Sequence, residues 1–141
     1  MPSKREFLKS SKIAIFGVSP KRKTFAAEVE KSLQTAGIAV FKINPQGGSG
    51  FYPDLNSIPE RIEAVYIATN KKNADSITDM AIAYGAKKIW LQYGAYDKQI
   101  IAKCQNAGLE TYAGCLMMFI PNAGSVHSFH RFLYELFKGK Q

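Results

Sequence analysis

Hydrophobic positions along the chain alternate between a helical spacing and short apolar runs. Three times an amphipathic stretch leads into a glycine and then into an apolar run, first as residues 24–36, Gly37 and residues 38–43. Apolar residues three or four apart predict a helix, and short apolar runs predict strands buried on both faces. A glycine at each junction suits the left-handed residue that ends many helices. The other two units are residues 73–84, Gly85 and 87–91, and residues 96–107, Gly108 and 109–113.

Two further apolar runs, residues 12–16 and 64–68, complete a set of five predicted strands. Strands that alternate with helices form βαβ units, and right-handed crossovers then favour an open, doubly wound sheet. The sequence therefore predicts one Rossmann-like α/β domain over residues 1–141, with five mostly parallel strands and helices on both faces. Residues 46–63 interrupt the alternation because they are rich in glycine and contain prolines, and they predict a loop with at most a short helix.

The end of the chain predicts one more helix, residues 125–138, with apolar residues along one face. The preceding residues 116–120 are Leu-Met-Met-Phe-Ile, an unusually apolar stretch for a position beyond the last strand. We expect this stretch to join the core, and a homodimer contact is the alternative, because large exposed apolar patches usually mark a partner. His127 and His130 lie three apart, but zinc requires three or four ligands, so we expect no metal site.

Composition limits the class of protein more than it identifies a function. A chain of 141 residues with 46% hydrophobic residues is long enough for one cored domain and is not disordered. No apolar run approaches the roughly 18 residues of a membrane span, and the N-terminus lacks the apolar core of a signal peptide. Two cysteines, Cys104 and Cys115, are too few for a disulfide scaffold. We therefore expect a cytoplasmic protein that has no membrane partner.

The net charge of +8 is concentrated at the two ends of the chain. Residues 1–23 carry seven basic side chains and one acidic, residues 131–141 carry three and one, and the body between them is neutral. A nucleic-acid surface would spread its positive charge over a face or along a helix, so we expect no nucleic-acid partner. The charge indicates either a local anion site near the first loop or solvated ends.

The first loop, residues 17–24, has the composition of a phosphate site. In open α/β sheets the ligand lies beyond the carboxyl ends of the strands, which is where this loop falls. Gly17 permits a close backbone approach, and the start of the following helix offers N–H groups and a positive dipole end to an anion. Three consecutive basic residues, 21–23, add positive charge. A phosphate or pyrophosphate is the expected ligand, and a loop of solvated basic side chains is the alternative.

The end of the second strand bears on which nucleotide would bind. Residues 41–44 include Lys42 and Asn44 but no acidic residue, whereas NAD sites usually hold the ribose 2′-hydroxyl with an acid there. Lys42 and Asn44 suit a phosphorylated ribose, as in NADP or coenzyme A, and an ordinary strand-edge lysine is the alternative. No Walker A motif is present, which argues against ATP hydrolysis by a P-loop.

An ordered series of short motifs between residues 12 and 115 resembles the small stand-alone CoA-binding proteins. That family is similar in fold to the nucleotide-binding N-terminal domain of the succinyl-CoA synthetase α subunit. No motif is specific alone, and it is their order along the chain that makes the resemblance informative. The matching stretches are Ile13-Ala-Ile-Phe-Gly-Val-Ser19 with Thr24-Phe25, Val40-Phe-Lys-Ile-Asn-Pro45, Tyr52-Pro-Asp-Leu-Asn-Ser-Ile-Pro59, Gly85-Ala-Lys-Lys-Ile-Trp-Leu-Gln92 with Gly94, and Ala107-Gly108-Leu109 with Cys115.

The resemblance implies that coenzyme A or an acyl-CoA is the ligand, with its phosphates over residues 17–19 and Thr24. It places adenosine contacts around Lys42, Asn44, Pro45 and Thr69. It places Gln92 and Gly94, after the fourth strand, along the crevice toward pantetheine. The remaining candidates belong to the first loop and the helix that follows it. The full set of candidate binding residues is Gly17, Val18, Ser19, Lys21, Arg22, Thr24, Phe25, Lys42, Asn44, Pro45, Thr69, Gln92 and Gly94.

The sequence contains no recognisable catalytic constellation, so we expect the ligand to be bound without catalysis. The resemblance implies that related acyl-CoA synthetases use a phosphorylated histidine of a separate ligase domain. Two alternatives stay open, an NADP-dependent oxidoreductase with the 2′-phosphate on Lys42 and Arg22, and a regulatory module that senses a nucleotide. Cys115 follows the fifth strand at the ligand edge, where we expect a buried hydrophobe rather than a mixed disulfide with the ligand thiol.

Overall fold

The computed structural model describes residues 3–121 of the chain. The helix predicted over residues 125–138, with His127 and His130, lies outside the described residues. Within residues 3–121, no helix has the length and apolar character needed to cross a membrane. In the same part of the chain, no three histidine, cysteine, aspartate or glutamate side chains are grouped to hold a metal ion.

Five strands of the described chain lie where the apolar runs predict them, and every neighbouring pair is parallel. Their order across the sheet is second, first, third, fourth and fifth, so the direction of winding reverses between the first and third strands. This confirms the predicted Rossmann-like α/β sheet, in which ligands bind beyond the carboxyl ends of the strands at that reversal. The strands are β1 (Lys12–Phe16), β2 (Ala39–Ile43), β3 (Ala64–Ile67), β4 (Lys88–Leu91) and β5 (Glu110–Ala113).

Three α-helices of the described chain connect the strands, and a side chain caps the start of each. Thr24, Asn70 and Asp97 accept hydrogen bonds from backbone N–H groups that lack a partner inside the helix. Because Asn70 is the cap, the second helix begins two residues before the predicted residue 73. Gly85 follows this helix with a φ of +93°, the left-handed conformation expected there. The helices are α1 (Phe25–Thr35), α2 (Lys71–Tyr84) and α3 (Lys98–Asn106).

Hydrophobic cores cover both faces of the sheet. α2 and α3 pack on one face, and α1 packs on the other beside two short 3₁₀ helices, Lys4–Lys9 and Leu116–Phe119. The periodicity of the sequence does not predict either 3₁₀ helix. Phe7 anchors the first of them, because its buried ring lies 5.4 Å from the ring of Trp90 and 5.5 Å from that of Tyr112.

The apolar stretch 116–120 joins this core in large part, as expected. Leu116, Met117 and Ile120 are buried, whereas Met118 is 66% exposed. Cys115, just before the stretch, is buried as a small hydrophobe. A homodimer contact through this stretch stays a prediction.

The segment after β2 folds back along the outer edge of that strand. The N–H of Asn44 donates to the carbonyl oxygen of Tyr52 at 2.9 Å, and the N–H of Tyr52 donates to that of Lys42 at 2.8 Å. A short 3₁₀ helix, Leu55–Ser57, follows, which agrees with the prediction of a loop with at most a short helix. The return of the chain brings this 3₁₀ helix into contact with α2.

Candidate functional site

A crevice of about 970 Å³ opens at the carboxyl ends of β1, β2 and β3, where the winding of the sheet reverses. This volume lies near the upper end of the roughly 300–1,000 Å³ typical of ligand pockets. Four parts of the chain line it, and the term crevice refers to them below. They are residues 16–19 with Arg22, residues 43–46, residues 53–56, and residues between 68 and 84 that include one face of α2.

Gly17 lies at the end of β1 in the left-handed region, with a φ of +122°. A Cβ at this position would collide with the backbone carbonyl of Ala68, the residue that follows β3. The close approach of two neighbouring strand ends therefore requires glycine here, independently of any ligand. Both Gly17 and Ala68 line the crevice, so this contact shapes the surface that a ligand would meet.

Hydrogen bonds within the loop after β1 fix its course. Ser19 Oγ accepts from the N–H of Lys21 at 3.1 Å, and Thr24 Oγ1 accepts from the N–H of Ala27 at 3.3 Å. Ser19 and Arg22 line the crevice, whereas Thr24 caps α1. Arg22 is exposed and is the only cation among the described lining residues. An anion that enters the crevice is therefore attracted to this loop.

Lys42 does not belong to the described lining of the crevice. Its Nζ lies 3.6 Å from Oε2 of Glu30 on α1 and 4.6 Å from the centre of the Phe51 ring. A carboxylate and an aromatic face both stabilise an ammonium group. The charge of Lys42 is thus offset inside the protein, and it contributes less to attracting a phosphate than the sequence suggests.

Asn44 connects the loops that follow β1 and β2. Its Nδ2 donates to the carbonyl oxygen of Val18 at 3.2 Å, and its Oδ1 accepts from the N–H of Gln46 at 2.9 Å. Because both ends of the amide are engaged, the side chain shapes the crevice rather than presenting a free polar group. Val18, Asn44, Pro45 and Gln46 all line the crevice.

One face of α2 forms a long wall of the crevice that the candidate set does not include. Asn73, Ile77, Met80 and Tyr84 recur at three- or four-residue spacing, which puts them on the same side of the helix. Met80 is 48% exposed, so an apolar surface faces the open space. The spacing is visible in the sequence, but periodicity alone does not distinguish a face that meets a cavity from one that meets the core.

The segment after β2 supplies the crevice with a carboxylate. Asp54 is the only anion among the described lining residues. Its Oδ1 accepts both the N–H and the hydroxyl of Ser57, each at 2.8 Å. The sequence has no acidic residue directly after β2. The segment that follows β2 nevertheless brings Asp54 to the carboxyl end of the sheet.

Gln92, which follows β4, is buried outside the described lining of the crevice. Its Oε1 accepts from the hydroxyl of Tyr66 at 2.9 Å and from the N–H of Leu116 at 3.2 Å. Burial, and after it the neighbouring Cys115, raise the pKa of Tyr66 well above its usual value, so the hydroxyl remains a donor. Gln92 thus joins β3 and β4 to the stretch after β5.

The candidate residues divide into those that line the crevice and those that lie elsewhere. Thr69 belongs to the lining, and its hydroxyl donates to the carbonyl oxygen of Asn70 at 3.0 Å. Phe25, the first residue of α1, is buried in the hydrophobic core. Those in the lining are Gly17, Val18, Ser19, Arg22, Asn44, Pro45 and Thr69, and those outside it are Lys21, Thr24, Phe25, Lys42, Gln92 and Gly94.

A parallel sheet with a crevice at its switch point is typical of α/β domains that bind nucleotides. The model of the CoA binding domain family matches residues 11–121 of the chain. The chain belongs to that family.

Solved structures share the fold over most of this chain. A hypothetical protein from Pyrococcus horikoshii OT3 is 34% identical with a TM-score of 0.76, and the match covers 85% of this chain and 89% of that one. A conserved hypothetical protein from Pyrococcus furiosus is 25% identical with a TM-score of 0.65, covering 72% and 91%. A dinucleotide-forming acetyl-coenzyme A synthetase 1 from Ca. Korarchaeum cryptofilum is 18% identical with a TM-score of 0.61, covering 72% and 25%. The last likeness is one of fold alone.

Proposed function

We propose that this protein binds coenzyme A or an acyl-CoA in the crevice and does not itself transform the ligand. The observation that carries the proposal is a large crevice at the switch point of the sheet, in a chain that belongs to the CoA binding domain family. A soluble nucleotide ligand of this size needs a site for its phosphates, a surface for its base and room for its pantetheine arm. The lining fits the first two of these needs directly.

The phosphates of the ligand bind at the loop after β1. Arg22 provides a guanidinium group there, and Ser19 provides a hydroxyl. The start of α1 follows this loop outside the described lining, and its positive dipole end favours anions near the loop. Guanidinium–phosphate hydrogen bonds are among the stronger ones in proteins because both partners are charged.

The base and ribose lie farther along the crevice, between α2 and the segment after β2. Ile77 and Met80 offer apolar contact, and Asn56 and Asn73 offer neutral hydrogen-bonding groups. Such a mixture of apolar surface and a few placed polar groups is typical of cofactor pockets.

The absence of catalysis is proposed because the described lining holds no nucleophile beside a base. Its side chains are apolar groups, amides and hydroxyls, together with Arg22 and Asp54. The N–H and the hydroxyl of Ser57 both donate to the carboxylate of Asp54, but Ser57 lies outside the described lining. General acid–base catalysis would need a titrating group within reach of a reacting atom.

A panel of ligands tests the proposal by thermal denaturation. A ligand at a hundredfold its Kd stabilises the folded protein by about 2.7 kcal/mol. We expect clear stabilisation by coenzyme A, less by dephospho-CoA, which lacks one phosphate, and almost none by NAD. Stabilisation by NADP without stabilisation by coenzyme A would favour the oxidoreductase. Turnover of an acyl-CoA by the isolated chain would overturn the claim of binding without catalysis.

A further inference from the structure

Asp54 is a charged side chain in the lining of the crevice, and its negative charge does not help to bind a phosphate. It forms no ion pair with any residue between 3 and 121. The N–H and the hydroxyl of Ser57 both donate to its Oδ1. Two hydrogen bonds to one oxygen hold the carboxylate in place and leave Oδ2 as an acceptor without a partner in that part of the chain.

The carboxylate limits which part of an anionic nucleotide lies beside it. Like charges repel and unlike charges attract, with an energy that falls with distance. A phosphate beside Asp54 is therefore disfavoured, whereas a phosphate beside Arg22 is favoured. Arg22 belongs to the loop after β1 and Asp54 to the segment after β2, so a phosphate is favoured at the first of these loops and disfavoured at the second.

The residues that line the crevice with Asp54 suit a flat, uncharged ring. Ile77 and Met80 present apolar surface, and Asn56 and Asn73 present amides that both donate and accept hydrogen bonds. A ring with apolar faces and polar edges is a description of a nucleotide base. Because a carboxylate only accepts hydrogen bonds, it favours an edge that carries an N–H donor.

We propose that Asp54 is a specificity-determining residue whose free carboxylate oxygen accepts a hydrogen bond from the exocyclic amino group of the bound base. The proposal rests on the proposed function, since coenzyme A carries adenine, which has such an amino group. Hypoxanthine has a carbonyl oxygen at the same ring position and would place an acceptor against an acceptor. Hypoxanthine keeps a donor only at the neighbouring ring nitrogen N1, away from the position of the amino group. Because Ser57 holds the carboxylate in place, Asp54 selects an adenine nucleotide over its deaminated counterpart.

The test compares paired ligands by calorimetric titration of the wild-type protein and of Asp54→Asn. One pair is coenzyme A and its hypoxanthine analogue, and the other is adenosine and inosine 5′-monophosphate. We expect the wild-type protein to prefer the amino-bearing member by about tenfold or more, as a hydrogen bond to a charged group provides. Asp54→Asn keeps an acceptor for Ser57 but adds a donor, so its preference should fall to within about threefold.

Asp54 caps the 3₁₀ helix Leu55–Ser57, so Asp97→Asn is the matched control for the effect of removing a capping carboxylate. Asp97 caps α3 through a hydrogen bond from the N–H of Ile100 at 2.9 Å, and it lies outside the described lining of the crevice. We expect this variant to keep the wild-type preference for the amino-bearing ligands. The comparison separates a change of charge at a cap from a change of charge beside the base.

The outcomes distinguish this proposal from the proposed function. If coenzyme A does not bind but the adenosine nucleotide is preferred over the inosine nucleotide, the proposed function fails and the role of Asp54 stands. If coenzyme A binds, and either its hypoxanthine analogue binds equally or Asp54→Asn keeps the wild-type preference, the role of Asp54 is overturned and the proposed function stands. If none of the four ligands binds, both are overturned.

Discussion

A single hydrogen bond between Asn44 and Val18 joins two walls of the crevice. Nδ2 of Asn44 donates to the carbonyl oxygen of Val18 at 3.2 Å, across 26 positions of the chain. The two residues follow neighbouring strands, β2 and β1, and both line the crevice. One amide side chain therefore joins the two loops just beyond the last paired residues of β1 and β2, Phe16 and Ile43.

Replacing Asn44 with alanine should lower both stability and ligand affinity. The variant loses the hydrogen bonds to Val18 and from Gln46, each of which contributes about 0.5–1.5 kcal/mol. We expect the free energy of unfolding in urea to fall by roughly 1–3 kcal/mol, and affinity for coenzyme A to fall because the loops are no longer joined. Asn106→Ala, at an exposed position at the end of α3, is the control and should change neither quantity appreciably. An affinity equal to that of the wild type would contradict the role of this bond.

Gly17→Ala should be among the most destabilising single substitutions in the chain. The new Cβ would meet the backbone of Ala68, and the residue would keep a left-handed conformation that costs about 1–2 kcal/mol by itself. Gly48→Ala is the matched control, because Gly48 also has a positive φ, of +72°, but has open space around its Cβ position. We expect the control to lose only the conformational cost and Gly17→Ala to lose several kcal/mol more or to fail to fold. Similar unfolding free energies for the two variants would show that the strand ends can separate.

Arg22→Ala should weaken binding of coenzyme A more than Lys23→Ala does. Both side chains are exposed and adjacent in sequence, but only Arg22 belongs to the described lining of the crevice. A charge-assisted hydrogen bond of about 1.5–3 kcal/mol corresponds to a loss of roughly tenfold or more in affinity. Titrations at low and high salt should also show a smaller salt dependence for Arg22→Ala. Equal losses in the two variants would mean that the loop attracts phosphate only through its general charge.

Two buried tyrosines predict a loss of stability in alkaline solution. Burial, and after it the hydrogen bond to Glu110, raise the pKa of Tyr112 to about 12, and burial raises the pKa of Tyr66 well above its usual value. Tyrosine in an unfolded chain ionises near pH 10. Between about pH 10 and 12 the unfolded chain therefore binds fewer protons than the folded chain, so the free energy of unfolding falls as pH rises.

Denaturation in urea over a range of alkaline pH measures this loss. The double variant Tyr66→Phe with Tyr112→Phe should lose less stability above pH 10 than the wild type, because phenylalanine does not titrate. Equal slopes for the two proteins would show that folding does not raise the pKa of either phenol.

The strands and helices could be predicted from the sequence because their signals are local. The apolar run of Lys12–Phe16 and the helical spacing of apolar residues in Phe25–Thr35 each follow from which side chains of that one element are buried. Gly85 indicates the end of α2 because glycine adopts the left-handed conformation there at little cost. The 3₁₀ helix Lys4–Lys9 could not be predicted in this way, because it has one buried side chain, Phe7, and one residue gives no periodicity.

The candidate site could be predicted only in part because side-chain partners come from distant parts of the chain. The position of the loop after β1 follows from the general rule for parallel sheets, and Arg22 does line the crevice. The pairing of Lys42 with Glu30 depends on how α1 packs beside β2, and no local pattern reveals it. The same holds for Asp54, which reaches the crevice because the chain after β2 turns back along the sheet edge.

Titration of the wild-type protein with coenzyme A, followed by calorimetry, tests the central claim most directly. The crevice predicts one saturable site per chain, with an affinity that falls as salt is raised because Arg22 attracts the phosphates. The same titration with NAD should give no measurable binding. Saturable binding of coenzyme A that Arg22→Ala weakens is the predicted result. No binding of coenzyme A, under conditions in which NADP or NAD does bind, would contradict the account.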